Sequence, residues 1–267
     1  MGVPFGFLSR ILHAQPHCVR FIDLAIRGWP RTTRPLRIVF LSDIHVGSHR
    51  GDYRRLSRIL TEACNLAPDL VLHGGDFLPW VPLRGRTISP VVIGRMLRRL
   101  RAPLGQFAVL GNHDYQRGGH GLAAALAANG IDVLDDARRT IKFEGHEIDL
   151  IGIPDARRHR QEAQALLSSL SPQRPAVVLT HDPYWFKHVP RGPYLTLAGH
   201  THGGQFRFPF VGAVVNMSRA PMRWTYGHII EREKTMYVTS GLGTSGLPWR
   251  IGIPPEFAVI SVQREEG

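Results

Sequence analysis

The sequence predicts an α/β protein built on a mostly parallel β-sheet. Between residues 37 and 110, three short apolar runs alternate with two amphipathic helical patterns. This β-α-β-α-β order is typical of parallel strands joined by right-handed crossovers. Each run ends in glycine or in a polar residue that can bind a metal, and the strand ends of open α/β sheets are where such proteins place their chemistry.

The elements of this first half follow from hydrophobic spacing. Residues 53–67 carry apolar side chains at i, i+3, i+4 and i+7, which predicts an amphipathic helix that Pro68 stops. Residues 89–100 repeat this spacing. The apolar runs predicted to be buried strands are residues 37–41, 69–73 and 107–110.

The second half of the chain is less regular. An alanine-rich stretch that stops at Gly130 predicts a short helix, and Glu144-Gly145-His146 predicts a turn between two strands. The predicted helices are residues 121–129 and 161–170, and the predicted strands are residues 140–143, 147–151, 176–179, 194–198, 235–239 and 257–262.

The chain of 267 residues, 43% of them hydrophobic, is long enough to build one large core, so we expect one main domain. Residues 1–34 mix apolar residues with arginine, and we predict one or two short amphipathic helices there that cover an edge of this domain. Contact with a membrane surface is the alternative role of this segment. The predicted organisation is an amphipathic covering segment, residues 1–34, and the main domain, residues 35–267.

The net charge of the chain favours an anionic partner but does not identify its class. The 33 basic and 21 acidic residues give a net charge of +12, which suits an anionic substrate, a nucleic acid or a membrane surface. Arginine-rich codon usage is an alternative explanation that needs no function. The two cysteines lie far apart and predict neither a disulfide framework nor a thiolate metal site. No apolar run approaches the ~20 residues that span a bilayer, so we expect a cytoplasmic protein, with peripheral contact on the inner face of the membrane as an alternative.

Polar side chains that can bind a metal follow the ends of the predicted strands. Seven nitrogen and oxygen donors are too many for one first-row ion, and they suit two ions that share a carboxylate, with Asp76 as the natural bridge. In the Asp43/His45 and His200/His202 pairs, the i, i+2 spacing predicts that both side chains point into one crevice. The candidate metal ligands are Asp43, His45, Asp76, Asn112, His181, His200 and His202.

The donor set and its spacing indicate a reaction class. Four imidazoles, two carboxylates and one amide disfavour Mg²⁺ and Ca²⁺ and favour Mn²⁺ first, with Fe or Zn²⁺ as alternatives. Two such ions about 3.5–4 Å apart can hold a hydroxide and stabilise the attacking and leaving oxygens of phosphoester hydrolysis. His113 remains as a non-ligand that could donate a proton to the leaving oxygen or a hydrogen bond to the phosphoryl group, and Asp114 is predicted to orient it.

Taken together and in this order, five motifs resemble those of the calcineurin-like metallophosphoesterases over residues 36–262. The resemblance implies a four-layer α/β/β/α sandwich of two mixed β-sheets flanked by helices. It also implies one metal held by Asp43, His45, Asp76 and His202, a second held by Asp76, Asn112, His181 and His200, and a phosphate-contacting role for His113. The motifs are Asp43-Ile44-His45, Gly75-Asp76, Gly111-Asn112-His113-Asp114, His181 and Gly199-His200-Thr201-His202.

Within that family, the glycine-rich stretch 239–248 and Gly203-Gly204-Gln205 look most like a bacterial branch of phosphodiesterases and hydrolases of UDP-2,3-diacylglucosamine type. We therefore expect a phosphodiesterase or pyrophosphate-bond hydrolase. Large apolar residues in 77–83 and 206–210, with arginine neighbours, favour a lipid-linked anionic substrate at a membrane surface, unless they pack as ordinary core.

Two other functions remain open. A nuclease or cyclic-nucleotide phosphodiesterase would use the same metal centre on a different anion, and nucleic acid is not excluded as a partner. A non-catalytic, metal-stabilised interaction module would be expected to have lost a ligand or the motif histidine, and none is missing here. No protein partner can be inferred from the sequence.

Overall fold

Two six-stranded mixed β-sheets lie at the centre of the computed structural model, which describes residues 14–49, 51–79, 88–155 and 160–266. The strands are β1 (Cys18–Ile26), β2 (Leu36–Leu41), β3 (Leu70–His73), β4 (Gln106–Ala108), β5 (Ile131–Val133), β6 (Ala137–Phe143), β7 (His146–Ile153), β8 (Ala176–Thr180), β9 (Tyr194–Ala198), β10 (Arg207–Phe208), β11 (Gly212–Ala213), β12 (Gly227–Glu231), β13 (Lys234–Val238) and β14 (Glu256–Arg264). The helices are α1 (Asp52–Asn65), α2 (Pro90–Leu97), α3 (Asn112–Gln116), α4 (Gly119–Ala127) and α5 (Arg160–Ser168), with 3₁₀ turns at Pro183–His188, His202–Gly204 and Met222–Trp224.

The first sheet has the order β1-β14-β2-β3-β4-β5, in which β2 to β5 are mutually parallel and β14 runs antiparallel to β2. The second has the order β12-β13-β9-β8-β7-β6, in which β13, β9, β8 and β7 are parallel and both edge strands are antiparallel. Parallel neighbours therefore place their carboxyl ends at one edge of each sheet, as the alternating pattern of the sequence predicted.

Three buried apolar layers separate four structural layers. The inner faces of the two sheets pack on each other through residues such as Phe40 of β2 and Leu179 of β8. Helices α1, α2 and α4 cover the outer face of the first sheet, with Leu60 and Ile93 among the buried contacts. Helix α5 covers the second sheet through Leu167. The predicted four-layer α/β/β/α sandwich is confirmed.

One prediction for the N-terminal segment is wrong. Residues 18–26, expected to be helical, form strand β1, which pairs in parallel with β14 over nine residue pairs from Cys18–Glu256 to Ile26–Arg264. The strand lies at the edge of the sheet, and Leu24 and Ile26 on it join the core between the sheets. Its partner lies more than 200 residues away in the chain, so local spacing could not reveal the pairing. Residues 1–13 lie outside the described part of the chain.

Within the described ranges, none of the helices has both the length and the apolar character needed to cross a bilayer.

Candidate metal centre

The seven metal-capable side chains meet where the carboxyl ends of the parallel strands of both sheets converge. The first sheet contributes Asp43 and His45 after β2, Asp76 after β3, and Asn112 at the start of α3 after β4. The second contributes His181 after β8, and His200 and His202 after β9. All seven are buried, so the centre lies inside the protein and not on its rim.

The backbone at this edge is unusual in conformation. Asp43, His45, Asp76, His200 and His202 have positive φ angles between 42° and 69°, the left-handed region that non-glycine residues seldom adopt. The two i, i+2 pairs therefore reach the centre through left-handed turns beyond the strands and not through strand alternation, which corrects the geometric reason given for them. Residues held in this region cost free energy, and they cluster at functional sites where the surroundings fix them.

The side chains fall into two groups. Asp43, His45 and His202 bring one ligand atom each within 4.8 Å of one another, and Asp76, His181 and His200 do the same. The Asn112 side-chain oxygen lies 3.1 Å from His181 Nε2 and so belongs with the second group. The histidines at 200 and 202, adjacent in one motif, thus serve different groups.

Asp76 lies between the two groups. Its Oδ2 is 3.6 Å from His45 Nε2 in the first group and 3.5 Å from His181 Nε2 in the second. Its Oδ1 accepts a hydrogen bond of 2.9 Å from the His113 backbone N–H. One oxygen is thereby fixed by the backbone, and the other points between the two sets of imidazoles.

Hydrogen bonds orient all four imidazoles, and carbonyl groups are the partners of three of them. His45 Nδ1 lies 2.7 Å from the Leu78 carbonyl and His181 Nδ1 lies 2.8 Å from the Gly74 carbonyl, so each donates from Nδ1 and turns Nε2 inward. His200 is reversed, because its Nε2 lies 3.3 Å from the Met217 carbonyl and its Nδ1 points inward. A carbonyl that fixes the outer nitrogen is typical of metal-binding histidines.

The inward nitrogens fit a cation. His200 Nδ1 and His181 Nε2 are 3.0 Å apart, and His45 Nε2 and His202 Nε2 are 3.3 Å apart. For His181 and His200, whose outer nitrogens both donate to carbonyls, the lone pairs of the inward nitrogens face each other, and a positive ion between them relieves that repulsion. His202 differs, because its Nδ1 accepts a hydrogen bond of 3.2 Å from Arg250 Nη2. The observed donor set therefore fits two transition-metal ions, in agreement with the sequence-based prediction.

The pKa shifts of the buried carboxyl and imidazole groups also favour bound cations. Burial raises the pKa of Asp43 to about 6 and, together with the charges of Asp114 and Asp43, raises the pKa of Asp76 well above its ordinary value. Burial also lowers the pKa values of His45, His200 and His202. The protein thus holds buried carboxyl and imidazole groups whose charged forms lack sufficient compensation, and divalent cations would stabilise the carboxylate and neutral imidazole forms together.

A cavity of about 190 Å³ opens onto both groups. The His113 ring is at its wall, with Nε2 3.9 Å from Asp76 Oδ2 and 3.3 Å from Ser245 Oγ. The His113 side chain is 12% exposed, compared with 6% for His200, the most exposed of the metal-capable residues. The lining residues are Asn112, His113, Gln116, His200, His202, Met217 and Ser245.

The family model described as calcineurin-like phosphoesterase matches residues 36–204. The chain belongs to the calcineurin-like phosphoesterase family. An uncharacterized metallophosphoesterase of Bacillus subtilis, YkoQ, is 30% identical over 230 residues, which cover 84% of this chain and 82% of that protein. Another from the same organism, YkuE, is 28% identical over 263 residues, which cover 94% of this chain and 88% of that protein.

In two further comparisons this chain matches only part of a longer protein. A zebrafish transmembrane protein with a metallophosphoesterase domain is 30% identical over 94% of this chain, which spans 58% of that protein. The NAD nucleotidase of Haemophilus influenzae has a similar fold, with a TM-score of 0.51 and 14% identity over 76% of this chain and 44% of that structure. Family membership makes this chain a metal-dependent phosphoester hydrolase, and its two groups of metal-capable residues agree with that activity.

Asp114 of this phosphoesterase accepts hydrogen bonds from four backbone N–H groups. Its Oδ2 accepts hydrogen bonds from the backbone N–H groups of Asp76 and Gly111, at 2.8 and 3.0 Å. Its Oδ1 accepts from Phe77 and Leu78, at 2.9 and 3.0 Å. These four bonds tie the loop that carries Asp76 to the loop that carries Asn112 and His113. In these bonds Asp114 is a positioning residue for the loops, and its predicted part in orienting the His113 ring stays a prediction.

Arg250 is a buried residue that the sequence reasoning missed. Its guanidinium donates to the backbone carbonyls of His202, Ser240 and Gly243, at 3.1, 2.6 and 3.0 Å. Burial lowers its pKa to about 10, so it remains a cation behind His202. The signal in the sequence was the turn-rich stretch 239–248, whose carbonyls need donors once they are buried.

The motif glycines are required by close packing. A Cβ on Gly111 would collide with Asp76 Oδ1, and one on Gly199 would collide with Asp43 Oδ2 and Ser42 Oγ. Both glycines therefore let a neighbouring loop approach a candidate ligand. A side chain at either position would displace a carboxylate of the centre.

The two apolar segments predicted to favour a lipid-linked substrate, residues 77–83 and 206–210, differ in exposure. Phe77 and Leu78 are buried and belong to the core beneath helices α1 and α2, so the ordinary-core alternative holds for them. Residues 80–87 lie outside the described part of the chain. The second predicted part behaves differently, because Phe208 and Phe210 are exposed.

Proposed function

We propose that this chain hydrolyses a phosphodiester or pyrophosphate bond at a centre of two divalent transition-metal ions, Mn²⁺ in preference to Fe or Zn²⁺. Asp43, His45, Asp76 and His202 hold one ion, and Asp76, Asn112, His181 and His200 hold the other. The position of Asp76 Oδ2, 3.6 Å from His45 Nε2 and 3.5 Å from His181 Nε2, carries the proposal because it makes one carboxylate available to both groups.

When bound, two such ions supply a nucleophile at neutral pH and stabilise the charge that develops on the phosphoryl oxygens. The protein provides the rest of the catalytic arrangement. His113 Nε2 is directed at the cavity, where it can donate a hydrogen bond to a phosphoryl oxygen or a proton to the leaving oxygen. Ser245 Oγ, 3.3 Å from that nitrogen, is placed to steady the ring.

The cavity favours a small or lipid-linked anion over a long nucleic acid. Its described lining residues include no arginine or lysine, whereas a nuclease that holds an extended strand needs cations along a groove. Met217 adds an apolar wall, which suits a phosphoryl group that carries an apolar substituent. An acylated substrate of UDP-2,3-diacylglucosamine type has this combination of features.

A substrate panel tests the proposal. Mn²⁺-loaded protein is assayed on an aryl phosphodiester, an aryl phosphomonoester, cyclic nucleotides, an oligonucleotide and a UDP-linked acyl sugar, with Asp76→Asn as the control for contaminating activity. We expect turnover of the diester or pyrophosphate substrates to exceed that of the monoester. Turnover confined to the monoester would overturn the proposal. Oligonucleotide cleavage with an affinity that falls steeply with salt would favour the nuclease alternative.

A further inference from the structure

The hairpin after the last metal-capable histidine exposes large apolar side chains. Strands β10 and β11 form two pairs, Arg207–Ala213 and Phe208–Gly212, with Pro209, Phe210 and Val211 at the tip. The relative exposure of Phe210 is 110%, that of Val211 is 71% and that of Phe208 is 43%. Phe210 has a φ of 65°, a costly conformation for an aromatic residue. The tip therefore presents an aromatic side chain directly to its surroundings.

The exposed large hydrophobic residues are concentrated in one stretch of the chain. Of the 13 large hydrophobic residues that are exposed in the described part of the chain, seven lie between Phe208 and Met222. Leu247 and Ile251 extend the surface, because the Leu247 carbonyl accepts from Gln205 Nε2 and the Ile251 carbonyl accepts from the Arg207 backbone N–H. An exposed apolar surface concentrated in this way marks an interaction site, whereas apolar residues scattered singly need no explanation.

The surface reaches the edge of the metal centre. Met217 is exposed and also lines the cavity, and its carbonyl is the hydrogen-bond partner of His200 Nε2. The base of the hairpin begins directly after the turn His202–Gly204. Whatever covers this surface is therefore presented to the mouth of the active site.

The charge around the hairpin identifies the occupant. From residue 183 to residue 230 the sequence contains no aspartate or glutamate, while Arg207, Arg219 and Arg223 lie in or next to the apolar surface. Arg223 is paired with Glu231, 2.9 Å away. Arg207 donates to the Gly203 carbonyl at 3.5 Å and lies over the Tyr226 ring, and within the described residues neither Arg207 nor Arg219 has a carboxylate partner. Exposed aromatic residues with cationic neighbours match the boundary between acyl chains and headgroups of an anionic bilayer.

We propose that the hairpin surface, residues 206–217, docks this protein on an anionic lipid bilayer. Phe208, Phe210 and Val211 enter the interface, and the Met217 edge then brings the cavity to the level of the headgroups. As a statement about substrate, this inference rests on the proposed function, because it favours a lipid-linked phosphoester that enters the cavity from the membrane. As a statement about binding, it stands on the surface alone.

The test is co-sedimentation of the full chain with phosphatidylglycerol–phosphatidylcholine vesicles and with phosphatidylcholine vesicles at near-physiological salt. The test variant carries Phe208→Ser, Phe210→Ser and Val211→Ser together. The matched control is Phe21→Ser, which removes a phenylalanine of 66% exposure from edge strand β1. Turnover of a soluble aryl diester is measured on each protein, so that folding and the proposed function are judged without vesicles.

We expect the natural protein and the Phe21 control to sediment with anionic vesicles, and the triple variant to lose about tenfold or more in vesicle affinity. Diester turnover is expected to be equal in all three. Natural protein that stays in the supernatant would overturn the inference, as would unchanged binding by the triple variant. Self-association that the triple variant abolishes, without vesicle binding, would identify a second copy of the chain as the occupant and would also overturn it.

Discussion

The metal-capable residues and the apolar hairpin are neighbours in the chain, yet they differ in burial and in attachment. His202 is 2% exposed and is held by hydrogen bonds from Arg250, whereas Phe210, eight positions later, is 110% exposed. Asp76 receives its backbone geometry from Asp114, which accepts four hydrogen bonds, while the hairpin is closed by two residue pairs. The metal centre needs fixed ligand atoms, and its residues are buried and held in strained backbone conformations. The hairpin is suited to contact with a partner, and its residues are exposed and not constrained by packing.

The largest expected effect is that of Asp76→Asn. If one carboxylate serves both ions, its loss weakens both sites, and the loss of several kcal/mol of metal-derived stabilisation corresponds to about 10⁴-fold or more in kcat/KM. The measurement is diester turnover together with metal content. Asp132→Asn, which changes a partly exposed aspartate paired with Arg139, is the matched control and is expected to retain both.

If Asp76→Asn loses only one of its two ions, Asp76 belongs to a single site. The two ions would then have to be held by separate sets of ligands, with no shared carboxylate.

Next in size is His113→Ala. General acid or electrostatic assistance is worth ~10²–10⁴-fold, so turnover of an alkyl diester is expected to fall in this range while metal content stays constant. The loss on an activated aryl ester is expected to be smaller, because its leaving group needs no proton. The control is His120→Ala, an exposed histidine of helix α4.

The outcome of this pair of esters defines the role of His113. An equal loss on both would assign it to phosphate binding and not to protonation of the leaving group. No loss on either would remove it from the mechanism.

Burial should also be visible in the pH dependence of stability. His73 is buried and hydrogen-bonded to Gln106, and burial lowers its pKa from 6.5 to about 4. As pH falls from 6.5 towards 4, the unfolded chain takes up a proton that the native imidazole refuses, so stability is lost across this window, by about 3 kcal/mol when complete. In His73→Leu this part of the pH dependence is expected to disappear from denaturant unfolding curves. Parallel pH profiles for the two proteins would contradict it.

The smallest expected effect is that of the triple serine hairpin variant on the folded protein itself. Because these side chains are exposed, its free energy of unfolding is expected to stay within ~0.5 kcal/mol of the natural value. Chemical denaturation of both proteins checks this. A larger loss would mean that the hairpin packs as core, and the contrast with the metal centre would fail.

The sequence was sufficient for the layers of the fold and for the positions of the metal-capable residues, because both depend on local patterns. Apolar runs such as β2 and β8 are continuous, and each is followed at once by its motif. Strands β5 and β12 were not predicted. Strand β5 has only three residues, too few to show an alternation of apolar and polar side chains, and β12 is a half-exposed edge strand. Strand β1 was misassigned because its partner, β14, is at the other end of the chain.

Within the site, the sequence predicted which residues come together but not how they are held. The left-handed backbone at Asp43 and His45, the four backbone N–H groups around Asp114 and the buried cation of Arg250 all depend on loops from different strands. No pattern in the sequence indicates these contacts. A polar residue in a loop is expected to face solvent unless the position of the neighbouring loop is known.

The central claim is that one buried carboxylate joins two metal-binding groups, and the most direct test is metal stoichiometry. Protein loaded with Mn²⁺, freed of excess metal and analysed by mass spectrometry against protein concentration is expected to contain two ions per chain, because the ligand atoms form two groups of three within 4.8 Å each with Asp76 Oδ2 between them. Asp132→Asn is expected to give the same value and Asp76→Asn a lower one. A stoichiometry near one in fully loaded natural protein would contradict the account.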